Sequence, residues 1–142
     1  MKIVKTLLLS SLLATAAFYA QALSPEEQFE QGVTAYKQGN YQKAHELFLP
    51  LAEQGEAKAQ FNLGVMYKEG EGIKQDDYQA FKWFEKAAEQ GEAPAQIALG
   101  GMYALGKGVE PNRNLARKWI GLACDNGLQV ACDLYRELHV GK

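Results

Sequence analysis

Apolar and small residues recur every four positions along two stretches of the chain: Ala59, Leu63 and Tyr67, then Ala95, Leu99 and Tyr103. Spacing at i, i+4 and i+8 is one stripe of an α-helix. A second stripe follows each: Ala80, Trp83, Phe84 and Ala87, then Ala116, Trp119, Ile120 and Ala123. Between the two helices of a pair lies "GEGIKQD" or "GKGVEPN". Its glycines suit a helix C-terminus and a turn, and Asp76 or Asn112 can cap the next helix. Each unit is thus a helical hairpin. Its apolar faces cannot be buried alone, so a core forms only by stacking on neighbours.

The units are copies of one another. Residues 56–91 and 92–127 align at a period of 36 without gaps and agree at 15 positions, where unrelated sequences would share about two. Gly64 and Gly100 fall inside the first helices, each costing roughly 1 kcal/mol against alanine, which points to close approach by another helix. Upstream, "AHELFLPLAEQGEA" precedes the first copy as "AFKWFEKAAEQGEA" precedes the second, and "FEQGVTAYKQGNYQKA" supplies one more first helix with a shorter turn. Ser24, Pro25 and Glu27 fit its N-cap, first-turn proline and capping-box partner. Pro50 falls inside a helix and should kink it. The pattern predicts an all-α solenoid of three hairpins, residues 24–55, 56–91 and 92–127, closed by a capping helix over 128–139.

"AQFNLGVMY…GEGIKQD…A…WFEKAAEQG" resembles the Sel-1-like repeat, a relative of the tetratricopeptide repeat. The likeness covers nearly all of residues 23–142, although the short turn and "GNYQKA" of the first hairpin are closer to a tetratricopeptide unit. The resemblance implies a right-handed α-superhelix that acts as an adaptor or scaffold for a protein or peptide partner. Nothing in the pattern names that partner.

The N-terminus changes the compartment. "MKIVK" carries two lysines and precedes the apolar run "TLLLSSLLATAAF", with Ala20 and Ala22 at the −3 and −1 positions of a small-x-small site. This is a secretory signal over residues 1–22, cleaved after Ala22, and the run is shorter than the ~20 apolar residues of a membrane span. No cysteine stands near the site to carry a lipid. Export to the periplasm or beyond leaves Leu23–Lys142 as one repeat domain with no membrane span. Loss of Lys2 and Lys5 moves the formal charge from −2 to −4. No basic block remains, so nucleic acid is a poor candidate partner and none is expected.

Both cysteines lie in "ACDNGLQVAC". Repeat phase puts Cys124 in the place of Ala88, near the end of a second helix. Cys132 takes the place of Gln60 and Gln96, in the first turns of a first helix. The residues therefore sit on adjacent antiparallel helices beside their turn, within disulfide range. Free thiols and a metal or redox role are the competing readings. An exported chain favours the disulfide, C-x-x-C is absent, and His45 and His139 lie in distant units. The spacing also resembles a secreted cysteine-rich branch of the family, in which most repeats carry such a pair.

That branch includes members described as penicillin-binding or β-lactamase-like, so the resemblance raises a hydrolase as the alternative function. The residues give it little. Ser24 and Thr34 are the only serine and threonine after residue 22, and neither S-x-x-K nor G-x-S-x-G occurs. The expectation is no enzyme, no cofactor and no metal. A third reading is a structural subunit of a cell-envelope assembly. For an adaptor the candidate surface is the concave face lined by first helices. Leu63, Gly64 and Tyr67 are assigned to helix packing; Phe61 and Val65 then face the groove, with Lys68 at its rim. Phe29, Val33 and Tyr36 fall at similar places in the first hairpin, and Ile97 in the third. The competing reading is that these side chains only complete a small core.

Overall fold

Ser24 opens the first helix as its chemistry dictates. In the computed structural model its Oγ accepts from the Glu27 N–H at 3.2 Å, and the Glu27 carboxylate accepts from the Ser24 N–H at 2.9 Å. The Ser24 N–H first, and then the Ser24 side chain, hold the Glu27 carboxyl below its usual pKa. The structure describes residues 23–140; the signal peptide expected over residues 1–22, with cleavage after Ala22, lies outside them.

Seven helices follow one another, with no strand among the described residues: α1 (Pro25–Lys37), α2 (Tyr41–Glu53), α3 (Ala57–Glu69), α4 (Asp77–Glu89), α5 (Ala93–Leu105), α6 (Arg113–Asp125) and α7 (Gln129–Val140). Asp76 and Asn112 cap α4 and α6, each side chain accepting from the N–H three residues on at 3.0 Å. The turn glycines Gly70 and Gly106 end α3 and α5 in the left-handed conformation. Pro50 is accommodated inside α2, which keeps the thirteen-residue length of α1 and α3 through α6. The carbonyl it leaves without a donor belongs to exposed Glu46, where water can serve.

Each helix packs chiefly on its sequence neighbours, α1 on α2, α2 on α3, and so on to α7. This is an α/α solenoid of three hairpins and a terminal helix. The core runs through it in three clusters. The largest fully buried side chains are Phe48, Phe84, Leu63, Met66, Leu99 and Ile120, each contributing about 1.5–3 kcal/mol through burial. The interior glycines mark close approach as expected. A Cβ on Gly64 would lie 2.6 Å from the Phe84 ring, and one on Gly100 would lie 2.7 Å from Ile120. The second turn glycines serve stacking instead. Gly108, at φ +66, lies against the start of α4, where a Cβ would stand 2.2 Å from the Asp77 carbonyl oxygen.

Junctions between hairpins are tied by one repeated device. Gln60 is buried and donates from Nε2 to the Ala52 carbonyl at 3.0 Å, while its Oε1 accepts from Gln90 Nε2 at 2.8 Å. Gln96 does the same one repeat later, donating to the Ala88 carbonyl at 3.1 Å and accepting from Asn126 at 2.9 Å. At the third junction Cys132 stands where glutamine stood, and its sulfur lies 1.99 Å from that of Cys124 in a disulfide. A covalent link takes the place of a side chain to backbone hydrogen bond.

Candidate functional site

The first helices that follow these junctions, α3 and α5, present matching stripes. Phe61 and Val65 lie one turn apart on α3, and Ile97, Gly101 and Leu105 continue at the same spacing on α5. Together they line an apolar groove of about 650 Å³, with Leu128 from the loop between the cysteines at its wall. Deeper in, Phe84 of α4 closes it, its ring 5.7 Å from that of Phe61. Leu105, at the groove rim, is 73 % exposed. Lys68, Glu69, Asp77 and Lys107 supply the polar edge.

Of the groove residues read from the sequence, Phe61, Val65, Lys68 and Ile97 thus come together. Phe29, Val33 and Tyr36 do not line this groove. They pack, half-buried, on the first core cluster, with Phe29 5.6 Å from Phe48 and Tyr36 5.3 Å from Tyr41. The reason is the Tyr36 hydroxyl, which donates to the Glu71 carboxylate at 2.5 Å and ties α1 to the turn of the next hairpin. Burial, then this carboxylate, push the Tyr36 pKa well above the usual phenol value. Phe61 and Val65 also touch the second core cluster, so the groove wall and the core share side chains. Gly101, Leu105, Leu128 and Lys107 also line it, outside the residues that the sequence pattern assigns to the groove. For Gly101 and Lys107 a signal existed in the 36-residue register, which places them opposite Val65 and Glu71.

The residues weighed for chemistry have structural employment. Ser24 Oγ serves the helix cap, and Thr34 Oγ1 donates to the Glu30 carbonyl at 2.9 Å. His45 packs edge-on against Tyr67, and His139 lies against Tyr135 at the far end of the chain. Among the described residues no three His, Cys, Asp or Glu side chains gather as metal ligands. None of the helices described is long and apolar enough to cross a membrane.

Comparison with known proteins follows the same outline. The Sel1 repeat family model matches residues 29–56, 57–92 and 93–128, the first match being the shortest. Two curated relatives are exopolysaccharide production negative regulators, from Rhizobium leguminosarum bv. viciae (40% identical over 58 residues) and Rhizobium meliloti (35% over 79 residues). The aligned parts are 41% and 49% of this chain but only 22% and 30% of those proteins. Among solved structures, a Sel1 repeat protein from Oxalobacter formigenes superposes with TM-score 0.72 at 38% identity, covering 76% of this chain and 46% of that one. A protective antigen of uropathogenic Escherichia coli gives 0.71 at 35%, covering 76% and 24%. Cysteine-rich protein B of Helicobacter pylori gives 0.65 at 22% identity, over 78% and 93%, a likeness of fold. With all three hairpins matched by one repeat model and a groove shaped by their stacking, the chain belongs to the Sel1 repeat family, whose fold serves protein–protein contacts.

Proposed function

We propose that this protein is an exported adaptor of the periplasm or cell envelope that holds a segment of another protein in the groove between α3 and α5. One observation carries the binding site: an open, mostly apolar groove of about 650 Å³, with Leu105 left 73 % exposed at its rim. A concave, mostly apolar groove with a few polar groups at its edge is the usual form of a binding site. Export is supported by the basic, apolar and small-x-small order of residues 1–22. The Rhizobium relatives carry names of regulators of exopolysaccharide production. They support a regulatory adaptor in an envelope process, through the repeat module that is shared.

Crosslinking followed by mass spectrometry on intact cells tests this, comparing the wild type with a Val65→Ser, Leu105→Gln double variant. The expected result is a protein crosslinked to the wild type and lost from the variant, in the periplasmic or secreted fraction, on a chain that starts at Leu23. A variant that keeps its partners, or a chain retained in the cytosol with Met1 intact, would overturn the proposal.

A further inference from the structure

The first two hairpin junctions differ, and the positions of residues within their helices show how. At the first, Tyr36 reaches across to Glu71 and closes the mouth with a hydrogen bond of 2.5 Å. At the second, Lys68, the twelfth residue of α3, stands in the place of Tyr36, the twelfth of α1, and Lys107 lies one 36-residue period after Glu71. Two ammonium groups cannot close on one another, and both line the groove. Lys68 leans on its neighbour Glu69 at 2.6 Å, with both side chains about half exposed. Such a surface pair contributes about 1 kcal/mol at most and exchanges readily. The Asp77 carboxylate accepts from Gln75 Nε2 at 2.7 Å, and among the described residues no carboxylate pairs with Lys107.

The groove floor differs in the same sense. Gly101 stands where Val65 and Val33 stand in the earlier hairpins. It lies inside α5 without a positive φ, and a Cβ built on it would meet nothing within 4 Å. A mid-helix glycine costs about 1 kcal/mol against alanine, and here no packing contact requires it. The missing side chain leaves open space inside the groove.

We infer that this junction is a selective pocket for a protein segment carrying a bulky apolar side chain next to an acidic one. The apolar group fills the floor left by Gly101, and the carboxylate lies at the rim held by Lys68 and Lys107. This rests on the groove reading above and adds the chemistry of its occupant. Specificity follows from the pairing: the apolar floor rewards burial, and on a rim that also carries Glu69 and Asp77 the unpaired Lys107 favours an acidic neighbour over a basic one.

The test is selection of a displayed library of random peptides, fused at their C-termini, on the purified protein, with affinities then measured on end-blocked synthetic peptides. Enriched sequences should set Leu, Ile, Phe or Trp within two positions of Asp or Glu. Gly101→Leu should weaken binding roughly tenfold or more without lowering the melting temperature, and Lys107→Glu should weaken it by a similar factor. If Gly101→Leu proves unstable, Lys107→Glu alone decides the rim, and Gly101→Ala, which adds one methyl to the floor, decides the pocket. Enriched peptides without an acidic residue overturn the inference. So does binding lost on Leu105→Gln but indifferent to the Gly101 and Lys107 changes, an outcome that leaves the groove reading standing. Peptides indifferent to all three positions, or no enriched peptide, overturn both.

Discussion

Gly100 and Gly101 are neighbours in one helix with opposite reasons for being glycine. A Cβ on Gly100 would press 2.7 Å from Ile120 Cγ1 and 3.1 Å from the Ala116 carbonyl oxygen, in a site that is already full. Gly100→Ala should therefore destabilise by about 1–3 kcal/mol through overpacking, despite the better helix propensity of alanine. Gly101→Ala meets open space and should stabilise by about 1 kcal/mol. Paired urea or thermal denaturation of the two variants checks the contrast, and equal effects at both positions would contradict the packing described. The sequence separates the two residues only in part. Gly100 recurs as Gly64, which exposes its packing role. Gly101 has valines as counterparts, and its meaning emerges only when its surroundings are seen to be empty.

Helix boundaries and caps are the most legible elements, because they depend on residues within a few positions of each other. Ser24 with Glu27, Asp76 and Asn112 all cap as their side chains dictate. Packing across the first junction is less legible. It depends on Tyr36 finding Glu71 thirty-five residues away, so Phe29, Val33 and Tyr36 look like groove residues until that contact is seen. The glutamine ties are similarly hidden, since nothing local distinguishes Gln60 from a solvated glutamine. Once they are known, the cysteines read as the third member of a series. α7 packs chiefly on α6, so its junction has the most to lose from a broken tie. Cys124 and Cys132 should resist alkylation in the native protein until reductant is added. Replacing both with serine should cost about 2.5 kcal/mol and raise hydrogen exchange in α7 before the other helices. Rapid labelling of native thiols, or exchange raised evenly along the chain, would contradict this assignment.

At the scale of the whole molecule, the register that builds the solenoid also explains where its regular packing stops. Arg136 occupies the place of Gly64 and Gly100, and pairs with Asp133, which occupies the place of Phe61 and Ile97. A charged side chain stands where, in the second and third hairpins, the second helix presses on the first. The same substitutions end the apolar stripe, so the groove is bounded to the span between α3 and the loop carrying Leu128. The repeat architecture was thus open to sequence reasoning, through duplication. The one junction left unclosed was not, because closure depends on pairs of residues in different hairpins. The central claim is that this junction is where partners dock. The most direct measurement is photocrosslinking in living cells from a benzophenone amino acid placed at Leu105, on the groove rim, or at Lys86, an exposed residue of α4 outside the groove. A discrete crosslinked protein from position 105 and none from position 86 is the expected result; crosslinks from position 86 alone, or the same products from both, would contradict it.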